Sequence, residues 1–136
     1  MSTASQPVWN LLESMGAEAD DSVKSGLGAP IHPERWQHGQ AGSVSANQRI
    51  DCWLKVSNER IEQARFEVFA SVHALSAARL LAQWLTGRRC DEVVALDGLA
   101  IARMASMADE ARSEALCLED AVHAAINAKP MNERQV

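Results

Sequence analysis

Apolar and polar positions alternate in two different rhythms between Ile50 and Gly87, and the rest of the chain is organised around that stretch. Ile50, Cys52, Leu54 and Val56 alternate with Asp51, Trp53, Lys55 and Ser57, the period of two expected of a strand with one buried face. Ser57-Asn58-Glu59-Arg60 follows as a hairpin turn, since Asn tolerates the left-handed backbone such turns use. On the returning strand Ala64, Phe66, Val68 and Ala70 share one face, with Arg65 and Glu67 on the other. At Ser71 the period changes. Ala74, Leu75, Ala78, Leu81, Ala82 and Leu85 recur at three and four residues, which predicts an amphipathic helix ended by Gly87 ahead of Arg88 and Arg89. The loop Ala70-Ser71-Val72-His73 between strand and helix is where a small α+β domain of this order presents reactive side chains.

Outside this block the pattern is weaker. Residues 1–7 read as a tail, and Val8, Leu11, Leu12 and Met15 are spaced for a short helix stopped near Gly16. Residues 16–49 contain Gly16, Gly26, Gly28, Gly39 and Gly42 with Pro30 and Pro33, which predicts a loop with a weak strand near Gly42–Ser45. Asp91 to Leu96 and Leu99 to Met107 read as short helical turns, and Ser106-Met107-Ala108-Asp109 as the cap of a final helix. That helix carries a narrow apolar seam of Ala111, Ala115, Leu118, Val122 and Ala125, with Glu119, Asp120, His123 and Asn127 facing away. Pro130 ends it. The organisation expected is therefore an N-terminal tail, short helix and Gly/Pro-rich loop over 1–48, a folded core over 49–128, and a C-terminal tail over 129–136.

Composition narrows the class. At 136 residues and 47% hydrophobic, the chain can bury one sizeable core and is not disordered throughout. No apolar run approaches the roughly 18 residues a membrane helix needs, and the first residues lack the basic start and apolar run of a secretion signal. The expectation is a cytoplasmic protein with no membrane contact. A formal charge of −5 without a basic stripe argues against nucleic acid. Three cysteines cannot all pair internally, so Cys52, Cys90 and Cys117 are expected to be free thiols in a reducing compartment.

Phe66, Ala74, Trp84, Leu85, Gly87 and Asp91-Glu92, followed by Glu119-Asp120-Ala121-Val122 and Ala124-Ala125-Ile126, resemble the IscU/NifU N-terminal iron–sulfur scaffold family over about Arg49 to Ala128. The resemblance implies an α+β fold: a small three-stranded antiparallel sheet with helices packed on one face and a metal site at the tip. It also implies where three cysteine ligands would stand. The first falls on Ala46, with the family's following aspartate on Gln48. The second, in the strand-to-helix loop, falls on Ser71. The third, at the start of the terminal helix, falls on Glu114, with Ser113 before it where the family often has histidine. The family's chaperone-recruiting Leu-Pro-Pro-Val-Lys segment has no counterpart, since 108–112 reads ADEAR. The stretch from His32-Pro33 to Gly39 faintly echoes the family's Asn-Pro-Arg-Asn-x-Gly segment, but so close to Ala46 that the first strand is expected to be shortened or missing.

A sulfide-bridged iron cluster wants soft thiolate ligands. Ala46 has no donor atom, the Ser71 hydroxyl stays protonated at neutral pH, and Glu114 alone holds a hard ion weakly. The expectation is a degenerate scaffold with no bound cofactor and no catalytic activity, acting as an accessory or regulatory partner. Its partners would be a cysteine desulfurase, another iron–sulfur assembly protein, or a second copy in a homo-oligomer. The alternative is a relocated zinc or iron site using His73, Glu114 and Cys117, a mixed donor set that zinc accepts. Cys52 is expected in the core. Cys90, beside Arg88 and Arg89, reads either as a thiol activated by those cations or as an idle turn residue. His32 and His38 lack a third ligand at standard spacing, and His123 is expected to be solvated. Trp53 lies on the polar face of its strand. It is either covered by the N-terminal segment or exposed near Trp36 as an anchor for a partner. No Ser-His-Asp set, P-loop or dinucleotide turn is present.

Overall fold

A computed structural model describes residues 26–128 and the backbone of Val8–Trp9. Its strands are β1 (Val8–Trp9), β2 (Gln37–Ser43), β3 (Gln48–Ser57) and β4 (Arg60–Ala70), and its helices α1 (Val72–Leu85), α2 (Cys90–Val93), α3 (Gly98–Met104) and α4 (Arg112–Asn127). Short 3-10 turns at Pro33–Arg35 and Asp109–Ala111 lead into β2 and α4. The sheet is antiparallel in the order β1-β4-β3-β2. Three long strands carry it, as the family resemblance implies, and β1 adds two residues at one edge.

The β3–β4 hairpin turns at Asn58 and Glu59, both at positive φ (54° and 62°), the backbone that matches the twist of a two-residue connection. Ile50, Cys52 and Leu54 on β3 and Phe66, Val68 and Ala70 on β4 are all fully buried on one face. α1 covers it with Ala74, Ala78, Leu81 and Leu85, and α4 with Ala115, Leu118, Val122 and Ala125. Alanine recurs on both helices because small side chains let a helix axis lie close to a sheet. Truncating any of the buried leucines would cost roughly 2–5 kcal/mol.

The N-terminal third departs from the sequence expectation in three places. Val8–Trp9 is strand, paired with Ala70 and Phe69, and not the start of a helix. Leu11, Leu12 and Met15, the rest of that expected helix, lie outside the described residues. Second, β2 is a full strand that begins at Gln37, well before the weak strand expected at Gly42–Ser45. Its sequence QHGQAGS has no apolar alternation because the helix it meets comes too close for side chains. An ideal Cβ on Gly39 would lie 2.2 Å from the Ala125 nitrogen and 2.3 Å from the Ala121 oxygen. Glycine here is a requirement of α4 seating directly on the strand. Gln37 reinforces the seat, its Nε2 donating to the carbonyls of Ala125 (2.9 Å) and Ile126 (3.2 Å). Third, Gly26–Gly28 is pinned to β4. Phe66 N–H donates to Gly26 O (2.8 Å), Gly28 N–H donates to Phe66 O (2.7 Å), and Leu27 between them is fully buried.

Two outward residues of α4 also differ from expectation. Glu119 accepts from the Gly98 N–H (2.8 Å) at the start of α3, and so joins the two helices. His123 is half-buried, with an Nε2 that has no hydrogen-bond partner. α3 packs beside α4.

Candidate functional site

β4 ends at Ala70, and Ser71 turns the chain into α1. A serine in this position ordinarily offers its oxygen to the first helical N–H groups. Ser71 does otherwise: its hydroxyl donates to Glu114 Oε1 at 2.5 Å, and its backbone N–H donates to Glu114 Oε2 at 2.9 Å. Ser71 is only 8% exposed. Glu114 stands in the first turn of α4, where the helix dipole favours a carboxylate. Residues 43 positions apart thus close on each other with both carboxylate oxygens engaged.

A second pair lies alongside. Gln48, the first residue of β3, donates from Nε2 to the Ser113 carbonyl (3.2 Å) and accepts from Ser113 Oγ at 3.3 Å. The β2–β3 turn before it is exposed. Ala46 there carries no donor atom on its side chain, and its N–H is held by Ser43 O and Oγ, each at 3.2 Å. Asn47 sits at φ 60°. The tip therefore joins the β2–β3 hairpin, the β4–α1 loop and the start of α4 through neutral groups and one carboxylate.

Cys117 is 5% exposed, one turn along α4 from Glu114. Its Sγ packs over Gly42, where a Cβ would lie 3.2 Å from the sulfur. Burial pushes its thiol up, with Asp120 and Glu114 adding to the shift and the Gln48 contact opposing it. His73 is exposed. Among the described residues, no group of three or more His, Cys, Asp and Glu gathers at metal-binding geometry.

The other candidates resolve differently. Cys52 is fully buried and its thiol lies well above the ordinary range, as burial dictates. Partial burial, then Glu59 and Asp91, push the Cys90 thiol up, so its surroundings lend the activated reading no support. The neighbouring cations are engaged elsewhere, Arg88 stacked 4.3 Å over Trp84 and Arg89 paired with Asp91 at 3.2 Å. His32 faces Glu34 at 3.5 Å on the surface, apart from His38.

His38 belongs to a network that sequence reasoning missed, on the sheet face opposite α1 and α4. Its Nε2 lies 2.8 Å from Asp51 Oδ1, and Arg49 Nε donates to Asp51 Oδ2 at 3.1 Å. The His38 ring stacks on Trp53, with centroids 4.8 Å apart and planes 9° from parallel. Trp53 is 7% exposed and not an open anchor. Asp51 is 3% exposed. Burial works to raise its carboxyl, but hydrogen bonds and charge from His38 and Arg49 outweigh that and hold it below the ordinary carboxylate range. The signal was cross-strand: His38 opposes Trp53 and Gln40 opposes Asp51 only once the β2–β3 register is known.

Comparison with known families decides the kinship. A family model described as NifU-like N terminal domain matches residues 27–135. The chain belongs to this family. The iron-sulfur cluster assembly scaffold protein IscU of Escherichia coli K12 is 28% identical over 89 residues, which is 65% of this chain and 70% of that protein. The IscU of Shigella flexneri matches with the same identity and coverage. In fold, this NifU-like chain resembles the crystal structure of a nitrogen-fixing NifU-like protein (N-terminal) from Brucella abortus. The TM-score is 0.59 at 16% identity, covering 81% of this chain and 87% of that one. No described helix is long and apolar enough to cross a membrane.

Proposed function

We propose that this NifU-like chain serves iron–sulfur cluster assembly as a binding partner that does not itself hold a cluster at the tip. The observation that carries the reading is the Ser71–Glu114 pair: both oxygens of Glu114 accept from Ser71, at 2.5 and 2.9 Å. The positions the resemblance assigns to cluster ligands are Ala46, without a donor, and two residues that satisfy each other. Thiolates hold such clusters because soft, anionic sulfur matches the iron; an alkyl group, a hydroxyl and an occupied carboxylate do not fit that demand. On this reading the tip is closed by hydrogen bonds where cluster-holding relatives would close it with metal. The protein acts by docking and not by catalysis. A cysteine desulfurase or another assembly protein of the cytoplasm is the partner class that the kinship favours.

Anaerobic reconstitution with iron and sulfide tests this. The chain should stay colourless, while the triple variant Ala46→Cys, Ser71→Cys and Glu114→Cys should develop sulfide-to-iron absorbance. A coloured wild-type protein with near-stoichiometric iron and sulfide overturns the reading.

A second reading places zinc or iron on Cys117, Glu114 and His73. One observation favours it: Cys117 lies beside Gln48 at the base of the same tip. Metal analysis of the purified protein separates the two, since only this reading expects bound metal that Cys117→Ser removes.

A further inference from the structure

We propose that the chain self-associates through the outer edge of β2, two copies pairing antiparallel about a two-fold axis at Gln40 to make one continuous sheet. β2 is the last strand of the order β1-β4-β3-β2. Among the described residues, no segment pairs with its outer side. An edge strand presents a row of backbone donors and acceptors, and proteins ordinarily block it with lysines, prolines, inward charges or a covering loop. Gln37–Ser43 has none of the first three: it contains no Lys, Arg, Asp, Glu or Pro.

The strand also complements itself. With Gln40 on the axis, Gln40 meets Gln40 of the second copy, Gly39 meets Ala41, His38 meets Gly42 and Gln37 meets Ser43. Off the axis, His38 and Gln37 are each set against a small residue, and on it the two glutamines can exchange amide hydrogen bonds. Gln40 is exposed, in line with Asp51 and Glu67 on the sheet face opposite α1 and α4. Charge points to the same edge. The chain carries a formal −5, so two copies repel over most of their surface. On β2 no like charges oppose each other, and the nearby Asp51 is already paired with Arg49 and hydrogen-bonded to His38. The occupant argued for is therefore a second copy and not a strand of another protein. The positive φ of Gly42 (77°) sets the end of the paired length.

The inference does not rest on the cluster-free reading, because its test involves neither iron nor sulfide. Sedimentation velocity of the full chain over a concentration series should show a monomer–dimer equilibrium. Gln40 Oε1 accepts from Arg49 Nη2 at 3.5 Å; Gln40→Glu keeps that acceptor but sets two carboxylates against each other, and should weaken dimerisation by about tenfold. Gln40→Lys should do the same by opposing two cations. An equimolar mixture of the two variants should recover the dimer as a heterodimer, which a folding defect would not do. A chain that is monomeric at all concentrations overturns the proposal, as does a dimer that neither variant weakens or a mixture that stays monomeric.

Discussion

Two polar networks hold this molecule outside its apolar core, and they are built in opposite ways. The sheet face opposite α1 and α4 uses neighbours: His38, Arg49 and Asp51 lie on two strands of one hairpin, where a hydrogen bond from His38 and an ion pair with Arg49 surround a carboxylate that is 3% exposed. The tip uses residues far apart in the chain, joining Ser71 to Glu114 and Gln48 to Ser113 with a single formal charge. The first network staples a local unit that the hairpin already brings together. The second decides where α4 sits relative to the sheet, at the positions where a scaffold's ligands are expected. The hydrogen bonds at the tip tie the β4–α1 loop and β3 to the start of α4.

The tip network depends on α4 lying against the sheet, a seat that Gly39 makes possible, so the largest effect should come from that contact. Gly39→Val would drive a side chain into the α4 backbone, and since backbone cannot step aside, the cost should reach about 3 kcal/mol or more. Thermal unfolding would show it, and a variant as stable as wild type would mean that α4 does not seat there.

Next in size is Glu114→Ala. It leaves the Ser71 N–H and hydroxyl buried without a partner and should cost about 2–3 kcal/mol by denaturant titration. Hydrogen exchange should localise the loss to the β4–α1 loop and the first turn of α4. Loss spread over β2 and β3 would mean the two networks are one.

Asp51→Asn should cost less at neutral pH, about 1–2 kcal/mol, with exchange rising in β2 and β3. It also carries a pH signature. The folded carboxyl of Asp51 lies below its ordinary value, so ionisation stabilises the fold above the unfolded pKa. That contribution disappears as pH falls below about 4 and through the depressed folded pKa. Wild type should therefore lose stability in that acid range more steeply than the variant, and parallel acid profiles would remove Asp51 from the network.

The smallest effect concerns chemistry without stability. All three thiols are pushed up, so alkylation at neutral pH should be slow, with half-buried Cys90 reacting before Cys117 and Cys52 last. Rapid labelling of Cys117 in the native protein would show that the tip opens.

The sequence by itself determined the β3–β4 hairpin, α1 and the seam of α4. Each of these buries one face, and burial of one face writes a period of two or 3.6 into the residues. The family resemblance also singled out Ala46, Ser71 and Glu114, because residue types are visible without coordinates. Only the tertiary structure decided β2, whose glycine at 39 reads as a loop signal until α4 is found lying on it. The partnering of Glu114 with Ser71, and of Asp51 with His38, was likewise hidden. A hydrogen bond between distant residues leaves no periodicity, since it depends on where two elements end and not on what either repeats.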